Sequence, residues 1–373
     1  MPIPTGLKPC PFVDRVPTDL SEDEWSDVAG QATPNRVAGT ELEYRAIRTG
    51  AGLLDFSMLP KWEIVGDGAL DALNAIFSRD VTALRAGSIA YGVIVDESGM
   101  MLDDCTVLVY GPDRVRITGG NLQVEDVIRR YLAPGLELVE LRDMLATLSV
   151  QGPKSREILQ RLTAHDLSNE AFPYYTFQTG IELAGIPAHV NRMGFTAELG
   201  YEVMVPVERG VELWDAIVAA GRDFTVAGCG GDALMIVRTE AGLIMGGLEY
   251  DDETTPFECR MGWAVDLEKS FHGRDALRAM GPARRTVVSV VTDGPAEDVD
   301  AAVLVDGDAE VGRITMAVTS PYLGGRTLAL ARVAKGHHLP GTRLRVRTPS
   351  GEEIPAEIVE TPVYDPQRLK VRS

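Results

Sequence analysis

Arg192-Met-Gly-Phe-Thr-Ala-Glu-Leu-Gly-Tyr-Glu202 is the stretch that decides the fold. It follows a short apolar run, Gly185-Ile-Pro-Ala-His-Val190. It continues into Tyr201-Glu-Val-Met-Val205, whose alternation predicts a half-buried strand. A glycine-punctuated turn therefore delivers one carboxylate, Glu202, into or beside a sheet. A carboxylate there needs a donor-rich partner, because burying it unpaired is costly.

Further short motifs lie on both sides of this stretch. Ala51-Gly-Leu-Leu-Asp-Phe-Ser57 comes first. Tyr91 and Asp96-Glu-Ser-Gly-Met-Met-Leu-Asp-Asp104 follow, then Gln151-Gly-Pro-Lys154. Beyond Glu202 stand Arg238-Thr-Glu-Ala-Gly242, Thr255-Pro-Phe-Glu258, Gly262-Trp263 and Lys269-Ser-Phe-His-Gly-Arg274. Thr319-Ser-Pro-Tyr-Leu-Gly324 and Pro362-Val-Tyr364 close the series. In sequence, composition and order these motifs resemble the signatures of the glycine cleavage T-protein (aminomethyltransferase) family along nearly the whole chain. The central stretch is similar to that family's Arg-Thr-Gly-Tyr-Thr-Gly-Glu-x-Gly-Phe-Glu.

The resemblance implies an α+β fold: a three-domain ring around a central folate channel, with a discontinuous first domain. It assigns 1–62 and 147–249 to that domain, 63–146 and 250–282 to a second α/β domain, and 283–373 to a C-terminal β-barrel. It implies tetrahydrofolate as cofactor, with Glu202 gripping the pterin ring and Asp104 facing folate N5 and the one-carbon group.

Bulk properties are compatible with this. A chain of 373 residues suggests two or three domains. Its 45% hydrophobic content is that of a core-forming globular protein. No apolar run reaches membrane-spanning length, and the first residues lack signal-peptide character. Cys10, Cys105, Cys229 and Cys259 are scattered without metal-ligand spacing, which predicts a reduced, cytoplasmic protein. The net charge of −19 argues against nucleic acid and anionic membrane as partners. It also requires local Arg or Lys wherever an anionic folate tail is held.

Periodicity predicts helices over 68–78, 122–132, 155–162 and 211–220, the last stopped by Gly221, and a helix leading into a strand over 39–57. Strands are predicted over 89–95, 105–110 and 146–150. Residues 1–40 read as an irregular wrap. From Arg285 onward, short β-type runs alternate with Gly, Pro and Asp turns, which is a small all-β domain. Gly228-Cys-Gly-Gly231 reads as lacking the strand–helix framing of a phosphate loop. The histidines have no ligand-spaced partners, so no metal site is expected.

Asp103 and Asp104 are adjacent on a strand start, so their side chains point to opposite faces. One can be solvated while the other faces a cavity. Tyr91 lies thirteen positions before Asp104, as a tyrosine does in the family pattern, and faces either the site or the core. Asn121 is either a family folate contact or a cap for the following helix. Arg238 either pairs with a buried acid or helps hold the folate. Trp263 and Tyr364 are channel-lining aromatics or core.

The departures from the T-protein pattern select a branch. Leu234-Met235 stands where that pattern has Arg-Asp, Phe195 where the pterin motif has tyrosine, and Ser57-Met58-Leu59 where it has Ser-His-Met. Leu108 replaces a tyrosine. Apolar groups in place of polar ones suit a tetrahydrofolate-dependent demethylase acting on a small methylated substrate. The alternatives are a true aminomethyltransferase acting with a lipoyl carrier protein, a folate subunit serving a flavin-dependent oxidase, and a non-catalytic folate-binding protein of iron–sulfur cluster maintenance. The last carries a cysteine motif absent from Lys269 to Arg274.

Overall fold

The computed structural model describes residues 3–373. Three β systems organise the chain. The first is a six-stranded sheet in the order Phe177–Leu183, Ile186–Asn191, Gly200–Pro206, Leu145–Gln151, Ala51–Asp55, Val226–Cys229. Only its last pair is parallel. The second is a five-stranded antiparallel sheet in the order Ser88–Val95, Met101–Gly111, Arg114–Thr118, Lys61–Val65, Glu137–Glu140. The third is a closed six-stranded barrel formed from residues between Arg285 and Val359. No helix among the described residues is long and apolar enough to cross a membrane.

Each sheet has one apolar and one polar face, because strand side chains alternate. In the first sheet, Leu148, Val150, Tyr201 and Val203 pack against Ile158 and Leu159 of helix Ser155–Gln160 and Leu213 and Ile217 of helix Gly210–Ala220. The opposite face carries Thr147, Ser149, Gln151, His189, Asn191 and Glu202. In the second sheet, Trp62, Ile64, Cys105, Val107 and Ile117 lie under helices Ala69–Ile76 and Val124–Arg130. Its other face carries Lys61, Glu63, Tyr91, Asp104, Thr106, Arg116 and Thr118. The two polar faces meet where Tyr110 Oη lies 3.2 Å from His189 Nδ1 and Arg116 Nη1 donates to Met204 Sδ at 3.3 Å.

Most sequence expectations for individual elements are met within a few residues, including the helix over Gly210–Ala220 capped by Gly221. Two need correction. Residues 1–40 are not wholly irregular: Trp25–Val28 and Gln31–Pro34 form a two-stranded sheet across Ala29-Gly30, both at positive φ. Gly228-Cys-Gly-Gly231 does lie between a strand, Val226–Cys229, and a helix, Gly231–Glu240. It is still not a phosphate cradle. Glu43 Oε2 accepts the Gly230 N–H at 2.9 Å and the Asn35 carbonyl accepts the Asp232 N–H at 2.9 Å. The helix N-terminus is thus already occupied by a protein carboxylate.

The glycines of the deciding stretch are explained by close approach. A Cβ on Gly194 would lie 1.9 Å from Gln151 Oε1, and one on Gly200 2.1 Å from the same atom. Gln151 itself ties the turn together, donating to Ser149 Oγ and the Met193 carbonyl and accepting from Thr196 Oγ1. Gly194→Ala is expected to destabilise the protein by about 1–3 kcal/mol, the usual cost of overpacking. Unchanged thermal unfolding of that variant would show that the turn can yield.

Candidate functional site

Asp104 is the centre of the site. Its strand places it opposite Val93, with Tyr91 one step along on the same face. Tyr91 Oη donates to Asp104 Oδ2 at 2.5 Å, and Tyr250 Oη donates to Oδ1 at 2.5 Å. The Asp104 N–H in turn donates to the Tyr250 hydroxyl at 3.1 Å. One carboxylate is therefore gripped by two phenols, one per oxygen, which fixes its plane. Beside it runs a cross-strand row, Tyr91, Thr106, Thr118, Lys61. Asp104, Tyr91, Thr106 and Thr118 remain partly exposed although they face the interior between elements. They line a space that solvent reaches.

Asp103 points the other way, as alternation requires, but it is not solvated. It is buried, and its Oδ2 accepts the N–H groups of Gly120 and Asn121 at 2.8 and 3.1 Å. That corrects the expectation of one free carboxylate: Asp103 holds a turn. Burial raises the pKa of both acids, and the charge of Asp104 raises that of Asp103 further. The two titrate as a pair that resists double ionisation.

Glu202 lies on the facing sheet, paired across strands with Asn191 and Ser149. It is 6% exposed, with Asn191 as its hydrogen-bonding neighbour across the strands. Burial pushes its pKa up to about 7, while Lys61 and the nearby Asn191 amide pull it down. Lys61 is itself buried. Its ammonium donates to the carbonyls of Phe56, Ser57 and Leu59, and burial lowers its pKa to about 7 against the pull of Glu202 and Asp55. Tyr175, at positive φ, stands within electrostatic reach of both Tyr91 and Glu202. Its ring packs with Tyr174 beside Ile89, Leu108 and Met193.

The remaining sequence candidates are dispersed. Trp263 is 59% exposed and its ring lies 6.1 Å from that of Tyr91, at the edge of the Asp104 space. Asn121 spends its side chain on the backbone, donating to the Leu102 carbonyl and accepting from Gln123 N–H. Phe195 packs against the cluster of Leu54, Phe56, Met58 and Leu234. Met235 lies against barrel residues such as Met316 and Val359. Arg238 is fully buried and donates to Glu249 at 2.6 Å, while its Nε and Nη2 have no partner. Tyr364 donates to Glu198, and its ring lies under the Arg48 guanidinium at 3.7 Å. Arg48 also binds Glu240, which accepts from Tyr44 and Ser320. This buried network fastens the six-stranded sheet to the barrel.

The sequence reading missed Tyr250, Lys61, Asn191 and Tyr175. The run Gly246-Gly-Leu-Glu-Tyr250 signalled a turn, but nothing in it points to residue 104.

Comparison with known proteins fits this arrangement. Residues 22–269 match the GCVT N-terminal domain and residues 284–365 the glycine cleavage T-protein C-terminal barrel domain. The chain is 35% identical over 351 residues to a trimethylamine-oxide aldolase of Ruegeria pomeroyi, covering 90% of this chain and 44% of that one. It is 32% identical to a sarcosine oxidase subunit alpha of Corynebacterium, covering 87% of this chain and 36% of the relative. It thus spans less than half the length of those two proteins. An aminomethyltransferase of Symbiobacterium thermophilum is 33% identical, with 90% of this chain and 92% of that one covered. The structure of the glycine cleavage system aminomethyltransferase T from Bartonella henselae superposes with a TM-score of 0.82 at 24% identity, covering 96% and 98% of the two chains, and shares the fold. The chain belongs to the glycine cleavage T-protein family.

Proposed function

We propose that this protein transfers a one-carbon unit from a small methylated donor to N5 of tetrahydrofolate. The observation that carries the reading is the Asp104 carboxylate held between the hydroxyls of Tyr91 and Tyr250 in a space that solvent reaches. A carboxylate so fixed stabilises a cationic nitrogen or onium centre as carbon is handed over. Tetrahydrofolate supplies the accepting N5; the methyl–heteroatom bond breaks with its electrons left on the donor, and the N5 proton is lost. Glu202 has the unfilled acceptor capacity that suits the paired N–H donors of a pterin edge. Tyr91, Tyr175 and the threonine row line the space between the two carboxylates and hold the reactants to one trajectory.

Two relatives bear the names of enzymes acting on N-methylated compounds, trimethylamine oxide and sarcosine. The test uses purified protein, tetrahydrofolate and a panel of methylated amines, sulfonium compounds and methoxyaromatics. Formation of 5-methyltetrahydrofolate without any other protein supports the reading. A second reading, aminomethyltransferase, is favoured by the near-complete overlap with relatives of that name. It requires turnover only with an aminomethylated lipoyl carrier and a 5,10-methylene product. The sarcosine oxidase likeness adds a third arm, in which an oxidase subunit supplies the one-carbon unit.

The Glu202 role implies a pH dependence. Only the ionised carboxylate accepts from both pterin donors, and its pKa is raised to about 7. Tetrahydrofolate affinity is therefore expected to fall as pH drops below about 7, approaching tenfold per unit. Lys61 loses its charge in the same range, so the acid limb is the diagnostic one. Calorimetry between about pH 5.5 and about 8 should show that limb in the parent and not in Glu202→Gln. A flat profile in the parent would remove Glu202 from the site.

A further inference from the structure

Arg79 and Trp263 form a feature that the methyl-transfer reading leaves unused. Arg79 Nη1 donates to the Tyr91 carbonyl at 2.7 Å. Its guanidinium lies 5.4 Å from the Trp263 ring centroid, on an indole that is 59% exposed. Trp263 is in turn beside Tyr91, whose hydroxyl holds Asp104. Arg79 makes no ion pair among the described residues, in a chain of net charge −19. The nearby acids are turned elsewhere. Asp80 accepts from the N–H and hydroxyl of Thr82, and Asp266 accepts the Glu268 N–H. Lys269 adds a second cation at the same loop. Its ammonium donates to the carbonyls of Asn74, Phe77 and Arg79 at 2.5, 2.5 and 3.0 Å and meets no carboxylate.

This is the architecture of an anion anchor. One guanidinium nitrogen is fixed on backbone, the group lies over an aromatic ring, and Nε and Nη2 have no acceptor among the described residues. An arginine fork of that kind matches a planar carboxylate, and stacking holds its plane in place. The position answers a requirement set by the charge, because an acidic protein that binds an anionic ligand must present a local cation where the anion lands.

We propose that Arg79, braced on Trp263, binds a carboxylate carried by a ligand of the Asp104 site. The proposal rests on Asp104 being the reaction centre. Two sources share that chemistry. One is the donor, as a methylated amino acid whose ammonium faces Asp104 while its carboxylate reaches Arg79. The other is the glutamate end of the folate.

Two matched pairs separate them. Calorimetry with the full chain compares tetrahydrofolate with the primary amide of tetrahydropteroate, which lacks the glutamate and carries no carboxylate. It also compares sarcosine with methylethylamine, in which a methyl group replaces the carboxylate. The parent protein is expected to favour the carboxylate-bearing member of one pair by about tenfold or more. Arg79→Met, which keeps the stem over Trp263, should erase that preference without a change in thermal unfolding. Arg79→Lys should restore part of it, since the charge returns without the fork. Erasure in the folate pair assigns the anchor to the glutamate, and erasure in the amine pair assigns it to the donor. No preference in either pair, or a preference that survives Arg79→Met, overturns the proposal. Tetrahydrofolate failing to bind the parent at all would sink the folate reading instead, and the amine pair would still decide the fate of Arg79.

Discussion

Asp104→Asn is expected to lower kcat by about a hundredfold or more, with tetrahydrofolate affinity changed little. The substitution keeps the size of the side chain. It removes the negative charge and puts an amide N–H₂ against one of the two phenols that now donate to it. Tyr91 and Tyr250 both approach this carboxylate as donors, so the amide satisfies only one of them. The loss is therefore twofold: the field at the reacting centre and the orientation of the group that supplies it. Asp103→Asn is the control. Its carboxylate serves the N–H groups of Gly120 and Asn121 in a buried turn, so its effect should appear in thermal stability rather than in kcat. Single-turnover rates that collapse for Asp103→Asn and not for Asp104→Asn would reverse the assignment of the two acids.

Glu202→Gln carries the second large effect. The amide offers one acceptor oxygen and one donor group where the carboxylate offered two acceptors. Against the paired donors of a pterin edge, one hydrogen bond is lost and one N–H meets another N–H. Affinity for tetrahydrofolate should fall by about 2–3 kcal/mol, the scale of a charge-assisted bond. The fold should survive, since glutamine keeps the size of the side chain and can still accept from Asn191. Calorimetric affinity equal to that of the parent would exclude Glu202 from folate binding and leave its burial beside Lys61 as a purely structural pairing.

The reach of the sequence reading follows the range of the interactions involved. Local signals were legible. The strands around residues 89–95 and 101–111, the helix stopped by Gly221 and the change to β structure after residue 285 all announce themselves through period and punctuation. Tyr91 was legible only as a residue of the site or of the core, because its contact with Asp104 depends on the register of the hairpin that joins them. Tyr250 was not. It reaches Asp104 across 146 residues, and such a contact depends on how sheets dock rather than on any local pattern. Lys61 carried no signal in the sequence, yet the turn at residues 56–59 wraps three carbonyls around its ammonium. Phe195, Asn121, Arg238 and Tyr364 were picked out by motif. The structure shows how motif residues divide their work: Tyr364 and Arg238 sit in buried ionic contacts that hold segments together, while Asp104 and Tyr91 face open space.

The strand order of the six-stranded sheet also sets a timetable. Ala51–Asp55 hydrogen-bonds to Leu145–Gln151 on one side and to Val226–Cys229 on the other, and to no strand in between. On a ribosome adding about 5–20 residues per second, this apolar strand emerges roughly 5–20 s before its first partner is made. The five-stranded sheet is encoded in that interval, its strands all lying between Lys61 and Glu140, and can close by itself while the earlier strand waits. The nascent chain thus carries Asp104 and Tyr91 on a formed sheet, still without Tyr250, well before Glu202 has been synthesised. That interval is when the chain most needs protection from aggregation.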